Sequence, residues 1–145
     1  MERIFTTFSQ LETEELGASF SSALIPGDIV AMYGDLGAGK TAFVRGAIQG
    51  FGLDTYVSSP TFSIVNEYLC PECKVAHFDM YRIGSEEELY NTGFYDYLDG
   101  RSILFIEWSE NIPFAIDDEV IRVTIEKGEG EIRYIRIDSP RDIEF

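Results

Sequence analysis

Three glycines, a lysine and a threonine fall within the eight residues from Gly34 to Thr41, in the stretch GDLGAGKT. Glycine lets the backbone turn so that several N–H groups point at one anion. In such a loop the lysine reaches the phosphates of a nucleotide, and the threonine hydroxyl takes one position on Mg²⁺. The stretch fits the pattern G-x-x-x-x-G-K-[S/T] and predicts a phosphate-binding loop. The alternative is a tight strand-to-helix turn without a ligand.

Two acidic residues each follow an apolar run further along the chain. Asp79 lies in HFDMYR, and Glu107 lies in LFIEW. If these runs are strands parallel to the one before Gly34, their carboxyl ends meet at one edge of a sheet, where ligands bind. Asp79 is then the expected second partner of Mg²⁺, unless it caps the next turn. Glu107 is expected to position metal or the attacking water, with Trp108 covering the pocket; the alternative is a solvated strand end beside a packed tryptophan.

Three further polar features are open to two interpretations each. Ser59 and Thr61 flank a proline in SSPTF, which suits a switch loop that senses the γ-phosphate and metal but is also ordinary loop chemistry. His77 is the one histidine of the chain and is expected to be a packed, hydrogen-bonded core residue rather than a catalytic one. Arg82 is expected to form a structural ion pair, and its alternative is an arginine finger.

Cys70 and Cys73 form a single C-x-x-C pair in CPEC. A structural zinc site needs four ligands, and the chain has no further cysteine. A thioredoxin-type motif would precede a helix, which this one does not. We therefore expect a hairpin turn with two free thiols, as is usual in a reducing compartment.

The elements that must position these residues alternate between strand and helix patterns. Ser9 and Glu12 match a capping box, and the helix that follows, with Leu16, Phe20 and Leu24 on one face, is expected to end at Pro26. The interleaving predicts an α/β class with a mixed central sheet flanked by helices, in one domain over residues 1–145. The expected strands are 3–8, 29–33, 62–69, 75–78 and 102–106 with a terminal hairpin of 119–126 and 131–138, and the other helices are 41–51 and 86–90.

Charge and composition exclude some classes of partner. The net charge is −15, from 26 acidic and 11 basic residues, so the long-range field repels nucleic acid and anionic membranes. Hydrophobic residues make up 45% of the chain, which is typical of a globular protein. No apolar run approaches the ~20 residues that cross a bilayer, and the first residues lack a signal-peptide pattern. We therefore expect a cytoplasmic protein.

Several segments together resemble one protein family. In order and spacing, TEELG from Thr13, GDLGAGKTAFVRG, SSPTFSIVNEY, HFDMYR and IEW are similar to the bacterial TsaE (YjeE) family, the ATPases of tRNA threonylcarbamoyladenosine biosynthesis. The likeness covers about residues 11–109, and the terminal hairpin matches only loosely apart from Arg133. The combined set is far more specific than any single motif, and CPEC is not part of it.

The resemblance implies a P-loop fold that binds ATP and Mg²⁺, hydrolyses ATP slowly when isolated, and acts on a TsaB–TsaD complex that modifies adenosine 37 of tRNA. It implies indirect involvement with tRNA through protein contacts. By position, Thr41, Asp79 and Glu107 lie at the metal, Thr61 lies in the switch loop, and Thr13, Trp108 and Arg133 line the base and ribose side. The phosphate loop itself comprises Gly34, Asp35, Leu36, Gly37, Ala38, Gly39, Lys40, Thr41 and Ala42.

Two other functions use the same loop. A small-molecule kinase needs an acceptor pocket and usually a basic lid, but residues 84–100 contain no Arg or Lys. A nucleotide-sensing regulator without catalysis would not need Asp79 and Glu107. A GTPase is disfavoured because the chain lacks an Asn-Lys-x-Asp stretch.

Overall fold

The computed structural model describes residues 1–53, 57, 60, 64–71 and 73–145. They form seven strands, three α-helices and short 3-10 turns at residues 94–97, 109–111 and 113–115. The elements are β1 (Glu2–Thr7), α1 (Gln10–Ser21), β2 (Ile29–Tyr33), α2 (Lys40–Gly50), β3 (Val65–Leu69), β4 (Lys74–Asp79), α3 (Glu86–Asn91), β5 (Ser102–Glu107), β6 (Ile121–Lys127) and β7 (Arg133–Asp138).

The strands form one mixed sheet in the order β1-β7-β6-β2-β5-β4-β3. The pairs β2–β5, β2–β6 and β4–β5 are parallel. The pairs β1–β7, β6–β7 and β3–β4 are antiparallel. The pairs β3–β4 and β6–β7 are hairpins, and β1 from the start of the chain adds to β7 as the other edge strand. The predicted α/β class, the mixed sheet and the terminal hairpin are confirmed.

The central strands are buried on both faces, which is why their sequences are continuous apolar runs. Every residue of β5 is buried. Phe105 faces the cluster that contains Phe20 and Phe43 of the first two helices, whereas Ile106 faces the cluster that contains Leu89 of α3. None of the helices in the described ranges is long and apolar enough to cross a membrane.

The first helix begins where the sequence predicts and ends sooner. The Oγ of Ser9 accepts the backbone N–H of Glu12 at 3.1 Å, as a capping box requires. The helix was expected to continue past Leu24 but ends at Ser21. The hydroxyl of Ser21 donates to the carbonyl of Ala18 at 2.7 Å, and such a local bond competes with continuation of the helix. Leu24 is still buried in the core, beyond the helix end.

The first two helices approach each other closely through glycines. A Cβ added at Gly46 would lie 1.8 Å from the carbonyl oxygen of Glu14, and one added at Gly17 would lie 2.1 Å from that of Phe43. Only residues without a side chain fit at these crossing points. The position of α1 therefore fixes the position of α2, which carries the phosphate-binding motif at its start.

The cysteine pair lies at the turn between β3 and β4, as predicted. The N–H of Cys70 donates to the carbonyl of Cys73 at 2.9 Å, and both thiols are free. Burial, and then the neighbouring Cys73 thiol, raise the pKa of Cys70 to about 11. The strand before the turn begins at Val65 instead of the predicted residue 62, and residues 61–63 lie outside the described residues.

Candidate functional site

A cavity of about 730 Å³ lies at the carboxyl ends of the parallel strands β2, β4 and β5. Its walls come from the phosphate-loop motif, the first turn of α2 and the segments that follow β4 and β5. The lining residues are Gln10, Leu36, Gly37, Gly39, Lys40, Thr41, Ala42, Arg45, Pro60, Ile64, Asp79, Tyr81, Arg82, Glu107 and Trp108. The segments GDLGAGKT, HFDMYR and LFIEW therefore meet at one sheet edge.

The loop between β2 and α2 has the backbone of an anion nest. Gly34, Gly37 and Gly39 have positive φ angles of 144°, 78° and 108°. A Cβ at Gly34 would lie 2.4 Å from the carbonyl oxygen of Ile125, so this position needs glycine for space as well as for conformation. Within the part of the chain that the structure describes, no side chain caps the start of α2, so its first N–H groups and positive dipole end are left for an anion.

Lys40, the first residue of α2, brings a positive charge to the loop. Its side chain is only 4% exposed. The Nζ atom donates to the carbonyl of Gly34 at 2.6 Å and lies 4.3 Å from the centre of the Trp108 ring. Trp108 has a φ of 59°, in the left-handed region that few residues other than glycine adopt. The tryptophan and the carbonyl hold the ammonium group at the cavity wall, where a phosphate would meet it.

Three residues of the motif do not line the cavity: Gly34, Asp35 and Ala38. The carbonyl of Asp35 accepts the N–H of Ala38 at 3.0 Å, which closes the turn. The carbonyl of Gly34 accepts the hydrogen bond from Nζ of Lys40. Leu36, by contrast, is 78% exposed and lines the cavity.

Asp79 and Glu107 are neighbours at the end of parallel strands. They are register partners, each the last residue of its strand. The Oδ1 of Asp79 accepts the N–H of Tyr81 at 2.9 Å. Glu107 is only 4% exposed although it lines the cavity, and its Oε2 lies 2.5 Å from the Nε2 of His77.

These residues suit a Mg²⁺ ion that is shared with a phosphate chain. Thr41, Asp79 and Glu107 all line the cavity and offer a hydroxyl and two carboxylates. The part of the chain that the structure describes holds no group of three or more His, Cys, Asp or Glu residues that could bind a metal. Mg²⁺ commonly takes only one or two carboxylates and completes its shell with water and substrate phosphates, so the donor set fits.

Thr13 and Arg133, which the resemblance assigns to the base and ribose side, are held by other contacts. Thr13 is 1% exposed, and its hydroxyl lies 2.7 Å from that of Thr7. The Nε of Arg133 donates to the carbonyl of Ala38 at 2.9 Å, so this residue reaches the back of the phosphate loop. Neither residue lines the described cavity.

The predictions for His77, Arg82 and the switch loop differ in how the structure bears on them. His77 is fully buried and hydrogen-bonded, as expected. Arg82 is exposed at the cavity, and the structural ion pair expected for it is not found among the described residues. The switch-loop residues Ser59 and Thr61 lie outside the described residues, so their roles stay predictions.

Sequence reasoning missed several residues of the cavity wall. Gln10, Arg45 and Tyr81 line it. The Tyr81 ring lies 5.0 Å from the Trp108 ring, and Nη1 of Arg45 forms an ion pair with Oε1 of Glu14 at 2.8 Å. Tyr81 and Arg45 carried a signal, because they stand in the segments HFDMYR and GDLGAGKTAFVRG that were already singled out.

Comparison with known proteins identifies the family to which this chain belongs. The family model described as threonylcarbamoyl adenosine biosynthesis protein TsaE matches residues 7–135. The chain belongs to the TsaE family. A TsaE protein of Rickettsia typhi is 45% identical over 121 residues, which cover 83% of both chains. TsaE of Bacillus subtilis is 33% identical over 129 residues, which cover 89% of this chain and 80% of that protein.

Structural comparison agrees with this assignment. The crystal structure of Bacillus subtilis YdiB superposes with a TM-score of 0.80 at 27% identity, covering 94% of this chain and 84% of that one. The P-loop-like α/β fold expected from the sequence is thereby confirmed. Membership of the TsaE family places the chain in tRNA threonylcarbamoyladenosine biosynthesis.

Proposed function

We propose that the chain is a cytoplasmic, Mg²⁺-dependent ATPase that supports threonylcarbamoylation of adenosine 37 in tRNA by acting on a TsaB–TsaD complex. The observation that carries this proposal is the placement of Lys40. It lies in a glycine-built anion nest at the wall of a cavity that also contains the register pair of Asp79 and Glu107. This combination of a cation, free helix N–H groups and two carboxylates suits a nucleotide with its metal.

Different residues of the cavity would bind different parts of the nucleotide. The loop N–H groups and Lys40 would bind the phosphate chain, and Thr41 and Asp79 would hold the metal. Bound Mg²⁺–ATP supplies a transferable phosphoryl group whose charge the metal partly neutralises. Leu36 and Trp108 offer apolar surface at the same cavity, consistent with covering part of the nucleotide.

Glu107 is the strongest candidate to orient water. It is buried beside the cavity, on the strand next to the one that ends in Asp79. A carboxylate there can accept a proton from water or fix its orientation for in-line attack. Changing Glu107 to Ala is expected to abolish turnover with a smaller effect on ATP binding.

The charge of the chain supports action through protein contacts. A net charge of −15 opposes a direct grip on the tRNA backbone. Contacts with a TsaB–TsaD complex would avoid this repulsion. Tight binding of tRNA by the isolated chain at physiological salt would contradict this part of the proposal.

The experiment compares modified tRNA formed over many turnovers in a reconstituted TsaB–TsaD system. The arms are intact protein, Lys40→Ala, Lys74→Ala and no added protein. Lys74 is the matched control because it is a partly exposed lysine at the opposite end of β4. We expect sustained turnover only with intact protein and Lys74→Ala. If all arms behave alike while the chain still binds ATP, the loop serves another acceptor, and a screen for phosphate transfer to metabolites would test the kinase alternative.

A further inference from the structure

His77 is a buried polar residue beside the candidate site, but the proposed reaction assigns it no role. It is fully buried, and its one described hydrogen bond joins Nε2 to Oε2 of Glu107 at 2.5 Å. We infer that His77 is a positioning residue that holds the carboxylate of Glu107 in the orientation needed for water or metal. This inference rests on the proposed ATPase function.

Strand geometry explains how the two side chains meet. His77 stands two residues before Asp79 on β4, so both side chains lie on the same face of the sheet. The register partner of His77 is Phe105, two residues before Glu107 on β5. His77 and Glu107 are therefore diagonal neighbours on that face, and a long glutamate side chain reaches back to the imidazole.

The unpaired ring nitrogen indicates the direction of the hydrogen bond. The Nδ1 atom of His77 is buried without a partner among the described residues. A buried N–H without an acceptor is costly, and a carboxylate can only accept. The hydrogen of this bond therefore lies on Nε2, which donates it to Glu107. The histidine is then a fixed, charge-assisted donor to one oxygen of the carboxylate.

A purely structural role explains this pair less well. A buried ionic or charge-assisted pair seldom stabilises a fold more than apolar side chains of similar volume. On its own face of the sheet, His77 has Val75 two residues before it and Phe105 as its register partner, and both belong to the apolar core, so an apolar residue there would be compatible with the core. What an apolar residue cannot do is fix the rotamer of Glu107, which lines the cavity despite its burial.

Two substitutions separate positioning from packing. His77→Leu removes the donor and keeps the volume. His77→Gln restores an N–H donor near the place of Nε2. Val75→Ala is the matched control, because Val75 is fully buried on the same strand and same face, two residues further from the site. If His77→Leu fails to fold, His77→Asn replaces it, since its shorter amide does not reach Glu107.

Turnover is measured in the TsaB–TsaD system, and affinity for ATP is measured on the isolated chain with Mg²⁺ and with chelator. We expect His77→Leu to lower kcat by at least about tenfold, because small misplacements of a reacting group are that costly. The gain in ATP affinity that Mg²⁺ confers should shrink, while affinity in chelator stays at the wild-type value. His77→Gln should recover most of both losses, and Val75→Ala should change neither.

The final arm repeats His77→Leu in a Glu107→Ala background and measures the gain in ATP affinity that Mg²⁺ confers, because Glu107→Ala leaves no turnover to compare. If His77 acts through Glu107, the second substitution makes this gain no smaller than Glu107→Ala alone does. An equal loss of this gain in both backgrounds, a wild-type kcat for His77→Leu, or the same loss of kcat from Val75→Ala would overturn the inference. Wild-type protein that neither binds nor hydrolyses ATP would instead refute the proposed function, and the inference with it.

Discussion

Arg133 connects the last hairpin of the chain to the phosphate loop. Its Nε donates to the carbonyl of Ala38 at 2.9 Å, while Nη1 donates at 2.8 Å to the carbonyls of Gly130 and Ile132. We predict that Arg133 braces the loop, so that Arg133→Ala weakens binding of any ligand that the loop holds by its phosphates. The family resemblance predicts instead that Arg133 contacts the base and ribose side of the nucleotide.

The size of the effect follows from the contacts that are lost. One short charge-assisted bond to the loop contributes about 1.5–3 kcal/mol. The contact of Nη2 with the carbonyl of Gly37, at 3.5 Å, is at the limit of a hydrogen bond and adds little. Because the side chain is half-buried, the lower end applies, and about 1.4 kcal/mol corresponds to a tenfold change in Kd.

Calorimetric titration with ATP, ADP and inorganic triphosphate distinguishes the two roles. Bracing predicts that Arg133→Ala raises the Kd of all three by about tenfold, since all three use the loop. Arg136→Ala is the matched control, because Arg136 lies on the same strand, is exposed and pairs only with Asp138 among the described residues. Weaker binding of ATP and ADP with unchanged binding of triphosphate would refute bracing and favour a contact with the base or ribose.

Three other predictions concern stability and reactivity. Gly46→Ala places a methyl group 1.8 Å from the carbonyl oxygen of Glu14. The substitution should lower the free energy of unfolding by about 2 kcal/mol, because the cost of overpacking exceeds the gain in helix propensity. Urea denaturation measures this free energy. Burial, together with the hydrogen bond to Glu67, raises the pKa of Tyr97 to about 12. The contribution of the Tyr97 phenol to stability is therefore complete below pH ~10 and is lost as the pH rises through about 12. Tyr97→Phe should remove this alkaline loss of stability from unfolding curves. Because burial raises the pKa of Cys70 to about 11, its thiol should react with iodoacetamide at pH 8 more slowly than free cysteine, as peptide mass spectrometry can follow.

Each of these has a result that contradicts it. Unchanged stability of Gly46→Ala would mean that the two helices separate at no cost. Equal alkaline unfolding of wild type and Tyr97→Phe would show that the phenol does not donate to Glu67 in solution. Alkylation of Cys70 at the rate of free cysteine would show that its thiol is not shielded.

The class of fold followed from patterns that are local in the chain. Apolar runs, the capping serine Ser9 and the hairpin pattern at the end are each decided by neighbouring residues, and interleaved strands and helices leave few architectures other than a layered α/β sheet. Element ends were less certain, as α1 shows, because the competing hydrogen bonds of Ser21 act over only a few residues and leave a weak pattern.

The glycine-rich loop before α2 and the start of that helix could be predicted from local sequence alone. The glycines, Lys40 and the start of α2 all lie within the eight residues from Gly34 to Thr41. Their relative positions are therefore set by the covalent chain and need no contact between distant segments. The two carboxylates were also found, because acids directly after apolar strands point to the carboxyl edge of a sheet.

Contacts between side chains from distant segments could not be predicted without the folded structure. The bond between His77 and Glu107 depends on strand register, and the bond from Arg133 to Ala38 spans 95 residues. The crossing of α1 and α2 depends on where Gly46 meets Glu14. Such contacts are fixed by side-chain direction and by packing between distant segments, which leave no periodic trace in the sequence of either partner.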